Sequence, residues 1–206
     1  MEEKRNLNTI YDQNFYDQMN YMSIQSAGIY ANYLTNFYKP ISVLDLGCGS
    51  GAWLKAFKDC GSKKLKGMDG DWIKKEELLD SEIAFNPTNL NELELSGEKF
   101  DLAMSLEVAE HLEESSSDNF VDYLTNSSDL VLFGSAYENQ GGTNHINEQK
   151  HSYWAKKFVN KGFLPFDFFR EKFWDDSQVG FWYRQNIFLY IKEGSEPHRL
   201  FSEQGF

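Results

Sequence analysis

The residues best placed to do chemistry are Asp45-Leu46-Gly47-Cys48-Gly49-Ser50-Gly51, with a second carboxylate, Asp69, 20 residues beyond Gly49. Glycines let a backbone approach a ligand closely, and the start of a following helix offers unpaired N–H groups. An acidic side chain at the end of the next strand can accept hydrogen bonds from ribose hydroxyls. Gly47, Gly49 and Ala52 also fit the spacing of a nicotinamide dinucleotide turn. Asp45 separates the two ligand classes. Its carboxylate repels a pyrophosphate but suits a ligand bearing a sulfonium and an ammonium, which describes S-adenosylmethionine.

These residues need a strand–turn–helix frame, and the pattern around them supplies one. Helical spacing runs from Thr9 to Phe37, where Ala27, Tyr30, Ala31 and Leu34 recur on one face, and Lys39-Pro40 stops it. Strands are expected at Ile41–Leu46, Lys64–Asp69, Ile83–Phe85, Phe100–Leu106 and Leu130–Phe133. Helices are expected at Ala52–Cys60, Trp72–Leu79, Asp118–Thr125 and Lys150–Asn160. Two long aromatic strands, Phe163–Phe173 and Phe181–Ile191, follow. Alternating strands and helices favour an α/β fold with a mostly parallel sheet and helices on both faces, and the final pair favours an antiparallel C-terminal hairpin. In such sheets the ligand sits beyond the C-terminal strand ends. One domain over 1–192 is expected, with 1–8 frayed and 193–206 a flexible tail.

The composition removes other classes. The chain has 206 residues, 41% hydrophobic and 25% charged, the balance of a globular protein. Its net charge of −12 argues against holding nucleic acid or anionic lipid through bulk charge. Cys48 and Cys60 are the only cysteines, too few for a disulfide scaffold or a four-thiolate zinc site. No apolar run is long enough to span a bilayer, and no secretory signal is expected. A cytoplasmic protein with a small-molecule acceptor as partner, and neither nucleic acid nor membrane, is the expectation; the oligomeric state has no signature in the sequence.

The chain resembles the class I S-adenosylmethionine-dependent methyltransferases, and within them a bacterial subgroup of small enzymes. The likeness rests on the Asp45–Gly51 turn, on Gly67-Met68-Asp69-Gly70-Asp71, and on the stretch Phe100–Leu112 with Glu107-Val108-Ala109-Glu110-His111. Its later marks are Gly141–Gln149, Ser152-Tyr153-Trp154, Trp174-Asp175-Asp176 and Trp182–Asn186. The resemblance implies a Rossmann-like seven-stranded sheet with six strands parallel and one reversed. It implies that Gly47, Cys48, Gly49 and Gly51 shape the turn around the methionine part of the cofactor, with Asp45 near its amino group. Asp69 and Gly70 would meet the ribose, Asn89 and Leu90 the adenine, and Leu106 and Glu107 the pocket wall. Tyr16 and Ser26, on the N-terminal helix, would cover the cofactor.

Methyl transfer is an in-line displacement at a carbon already activated by sulfonium, so the protein mainly aligns the partners and excludes water. A hydroxyl acceptor, with a pKa of ~15, benefits from a positioned base. His145, in a glycine-rich segment after the fifth strand, is the candidate; His111 reads as structural. Glu148, Trp154, Trp182 and Arg184 are candidates for the acceptor site, Arg184 because a cation among aromatics must find a carboxylate or phosphate. Glu107, Glu110, Glu148, Asp175 and Asp176 show no close spacing with His145, so no metal is expected. The reading is methyl transfer to an oxygen of a sugar-like, nucleotide-linked or secondary-metabolite acceptor. The alternatives are a nicotinamide-dependent oxidoreductase and a non-catalytic cofactor-binding module.

Overall fold

The computed structural model describes residues 13–206, with side chains from Asn20 onward. Helix α1 (Gln13–Thr35) carries Ala27, Tyr30, Ala31 and Leu34 fully buried, a stripe at helical spacing that seats it on the sheet side. Thr35 Oγ1 turns back to the Ala31 carbonyl at 2.9 Å as the helix ends. Strand β1 (Ser42–Leu46) then enters the core, and α2 (Ala52–Asp59) leaves the glycine turn. Strands β2 (Lys64–Asp69), β3 (Ala84–Pro87) and β4 (Leu102–Leu106) follow, then α3 (Ser117–Ser127), β5 (Leu130–Gly134) and α4 (His151–Val159).

With β6 (Phe163–Phe166) and β7 (Phe188–Lys192), the seven strands among the described residues lie in the order β3-β2-β1-β4-β5-β7-β6. Strands β1 to β5 pair in parallel, and β7 runs antiparallel to both β5 and β6. Six strands therefore share a direction and β7 is reversed, as expected. The central strands are buried on both faces. Alternate residues feed two cores: Val43, Leu102, Met104 and Leu132 face Tyr30, Phe57 and Phe169, while Leu44, Ala103, Val131 and Phe133 face Phe120, Phe158 and Trp154. At the end of the sheet away from the glycine turn, Asp101 Oδ2 accepts the N–H groups of Ile41 and Ser42, both at 2.8 Å.

Four expected segments take another form. The Trp72–Leu79 segment holds only a single 3-10 turn at Lys75–Glu77. It lacks a buried stripe, since Trp72 and Leu79 are both exposed, and a short helix without packing is not stable. The two long aromatic strands are each cut short. Between β6 and β7 the chain forms α5 (Arg170–Phe173) and α6 (Phe181–Asn186), because Phe169 with Phe173, and Tyr183 with Asn186, are buried at helical spacing. The expected loose tail contains α7 (Glu196–Glu203). Ser195 caps it by accepting the His198 N–H, Pro197 lies in its first turn, and Phe201 is fully buried.

Candidate active site

The loop after β1 is built for positive φ. Gly47, Gly49 and Gly51 have φ of 83°, 49° and 78°, a region that favours glycine. At Gly47 a Cβ would also lie 2.3 Å from the Val108 side chain. The loop is held from the neighbouring strand. Asp69 Oδ2 accepts the Gly49 N–H at 2.8 Å and Oδ1 accepts the Gly70 N–H at 2.7 Å, while Gly47 N–H reaches the Met68 carbonyl at 2.7 Å.

Beside this turn lies a cleft of about 630 Å³, bordered by Gly47, Asp69, Gly70, Asn89, Leu90 and Glu107. A smaller cavity adjoins it through Gly47, walled by Asp45, Gly49, Leu106, Trp53 and Tyr183, with Asn20 and Ser23 of α1 on its border. Burial, and after it the Asp69 carboxylate, push the Asp45 carboxyl well above its usual range. A nearby cationic ligand relieves that penalty, whereas a phosphate worsens it. Burial also raises the Cys48 thiol, followed by Asp45 and Asp69, so Cys48 is a packed thiol rather than a nucleophile. Its sulfur fits against Gly67, where a Cβ would come within 2.6 Å of Sγ.

The two strand ends that follow in the sheet bring a second group together. Leu106 pairs with Gly134 at the ends of β4 and β5, so the loops leaving them run side by side. Glu107 has φ of 56°, and its carboxylate accepts from Asn186 Nδ2 at 2.9 Å and Gln140 Nε2 at 3.3 Å. Burial raises the carboxyls of both Glu107 and Glu110. The N–H groups of Ile146 and Asn147 both bond the Glu110 carbonyl, at 2.9 and 3.0 Å. That staple places His145 against His111, with ring centroids 4.8 Å apart. His145 Nδ1 meets Glu148 Oε1 at 2.9 Å. His111 borders the cleft; burial, then His145, lower its pKa.

Several sequence candidates sit elsewhere. Ser26 is fully buried, accepts the Gly180 N–H at 3.0 Å and borders neither cavity. Its role is to fix α1 to the turn before α6. Tyr16 falls among the residues whose side chains are not described. Trp154 is buried against Phe133 and Tyr153 in the core on the α3–α4 face. Trp182 packs on Gly180 and Tyr183, and Arg184 donates to the Trp174 carbonyl at 2.9 Å rather than to an anion. None of these three borders either cavity. Conversely, Trp72 was not among the candidates, yet it borders the cleft, is 73% exposed and lies over Gly70. A tryptophan three residues beyond Asp69 was the available signal.

A family profile described as a methyltransferase domain matches residues 24–158. The chain belongs to that methyltransferase family. No curated protein sequence matches it, but many solved structures share its fold. Magnesium protoporphyrin IX methyltransferase from Synechocystis PCC 6803, with bound S-adenosylhomocysteine, superposes with a TM-score of 0.62 at 15% identity, over 88% of each chain. The methyltransferase domain of bacterial CtHen1 gives 0.57 at 18% identity, over 82% of this chain and 99% of that one. Human N-acetylserotonin methyltransferase in complex with S-adenosylmethionine gives 0.57 at 15% identity, over 86% and 53%. The methyltransferase assignment decides between the two ligand classes left open by the glycine turn: the cofactor is S-adenosylmethionine. Asp45 fits that assignment, being a buried carboxylate on the small cavity that suits a cation. Among the described residues no helix is long and apolar enough to cross a membrane.

Proposed function

We propose that this methyltransferase transfers the methyl group to an oxygen of a small-molecule acceptor. When bound, the cofactor supplies an electrophilic methyl carbon on sulfonium. The residues of this chain bind, align and exclude water. Asp69 and Gly70 face the ribose, Asn89 and Leu90 the adenine, and Asp45 the ammonium end in the small cavity. Asn89 Oδ1 already accepts the Asn91 N–H at 3.1 Å, which leaves its amide nitrogen to serve as donor to an adenine ring nitrogen. Tyr183, hydrogen-bonded to Ser23 at 2.8 Å, and Trp53 exclude water from the methionyl side.

The observation that carries transfer to oxygen is the His145–Glu148 pair beside His111 at the edge of the cleft. An imidazole oriented by a carboxylate through Nδ1 keeps the Nε2 lone pair free, so that it can promote loss of a hydroxyl proton either directly or through a bound ion. The net charge of −12 favours a small acceptor over a polyanion, and the cytoplasm remains the proposed compartment. The test is a panel of hydroxylated small molecules and RNA ends with S-adenosylmethionine, read as S-adenosylhomocysteine released and mass gained by the acceptor. A gain on a small hydroxyl compound, lost about 100-fold or more in His145→Ala, supports the reading. Methylation confined to RNA, or turnover indifferent to His145, overturns it.

A further inference from the structure

Glu110, His111 and His145 each offer a ligand atom, and these atoms lie within 4.8 Å of one another. The sequence spacing concealed this grouping, because it forms only when the loops after β4 and β5 are stapled together. Glu110 is fully buried. Its Oε2 accepts the Ser135 hydroxyl at 3.1 Å, but Oε1 has no partner among the described residues. A buried carboxylate oxygen without a donor is expensive, and natural structures rarely leave one so. The two imidazoles are arranged for a shared guest. His145 commits Nδ1 to Glu148 and His111 turns Nδ1 to the Asn144 carbonyl at 3.3 Å, so each ring keeps the Nε2 lone pair. Backing of Nδ1 by a carboxylate or carbonyl is how metal-ligating histidines are usually held.

We propose that Glu110, His111 and His145 bind one divalent cation of the first transition row, with Glu148 as a positioning residue behind His145. Two imidazoles and one carboxylate suit manganese, iron, cobalt or zinc rather than calcium. Such a set leaves coordination positions open, and His111 puts it at the border of the cleft. This deepens the oxygen-transfer reading and rests on it for its purpose. A cation there favours the deprotonated form of an acceptor hydroxyl, whose proton passes to solvent. His145 then serves as a ligand, and its loss acts through the ion.

The test uses the full chain, stripped with a chelator and titrated with Co²⁺, read by ligand-field absorption and calorimetry. One Co²⁺ per chain is expected. Affinity should fall about 100-fold or more in Glu110→Gln and His145→Ala, and about 10- to 100-fold in Glu148→Gln. His111→Ala, altering an exposed ring, supplies a further variant should Glu110→Gln fail to fold. S-adenosylhomocysteine binding, measured on the same samples, verifies folding and should persist. Absence of a Co²⁺ band, or affinity unchanged in His145→Ala and His111→Ala, overturns the site. Co²⁺ binding in a chain whose turnover is confined to RNA or to nitrogen or carbon acceptors leaves the site standing and removes the small-hydroxyl reading instead.

Discussion

The Asp69 carboxylate accepts the backbone N–H of Gly49 across 2.8 Å, so a side chain at the end of β2 holds the turn that follows β1. The group proposed to meet the ribose is thus also the brace of the loop proposed to meet the methionyl part. One carboxylate with several acceptor lone pairs can do both.

Replacing that carboxylate separates the two jobs. Asp69→Asn keeps a single acceptor oxygen for two backbone donors. The loss of charge-assisted bonds, about 1.5–3 kcal/mol, should weaken S-adenosylhomocysteine binding about 10- to 100-fold. Calorimetry reads it, and unaltered affinity would remove Asp69 from the site.

Gly47 carries a backbone and a steric demand together. Gly47→Ala should destabilise the chain by about 1–3 kcal/mol, from strain at positive φ and from overpacking against Val108. Adding Val108→Ala should relieve the clash without relieving the strain, so the double variant should recover binding only partly. Denaturant midpoints and cofactor affinity follow both effects.

The Asp45 carboxyl is raised by burial and by Asp69. A group whose folded pKa exceeds its unfolded value of about 4 contributes stability that is full below that value and lost as pH rises through the folded pKa. A cationic donor shifts the balance back toward the carboxylate. Binding of S-adenosylmethionine should therefore release a proton, and affinity should increase with pH across the titration of Asp45. Calorimetry in buffers of differing ionisation enthalpy detects the release; heats identical in all buffers contradict it.

Ser26 holds the Gly180 N–H instead of bordering a cavity, while Trp72, which was not among the sequence candidates, borders the cleft. Ser26→Ala strips Gly180 of its buried acceptor and should cost about 1–3 kcal/mol of stability with little change in cofactor affinity. Trp72→Ala removes an exposed ring and should leave stability within about 0.5 kcal/mol. It should weaken adenosine-ligand binding by about 1–3 kcal/mol, the usual worth of a base–aromatic stack. Chemical denaturation paired with calorimetry distinguishes the two patterns.

The sheet and the glycine turn were legible because their signals are local. Apolar runs mark β1, β4 and β5, and the Gly47–Gly51 pattern with Asp69 needs no tertiary information. The region from Phe163 to Ile191 was not legible, because Phe, Trp and Tyr favour strands intrinsically while burial of Phe169, Phe173 and Tyr183 selects helix. Arg184 was not legible for a related reason: one Nη1 bond reaches the Trp174 carbonyl while Nε has no partner among the described residues, an arrangement that only the α5–α6 fold creates. The joining of Glu110 and His111 to His145 depends on β4 lying next to β5, a fact of topology that no spacing along the chain encodes.

That adjacency divides the molecule's tasks. In the proposed reading, the turns after β1, β2 and β3 grip the donor, while the segments after β4 and β5 assemble the group facing the recipient. The two halves meet along one cleft, where Glu107, Val108, His111 and Leu112 lie across from Asp69, Gly70, Asn89 and Leu90. Descendants of such a scaffold can rewrite residues 135–150 to accept new compounds while inheriting their methyl source untouched. A graft of that stretch between relatives should carry substrate preference with it.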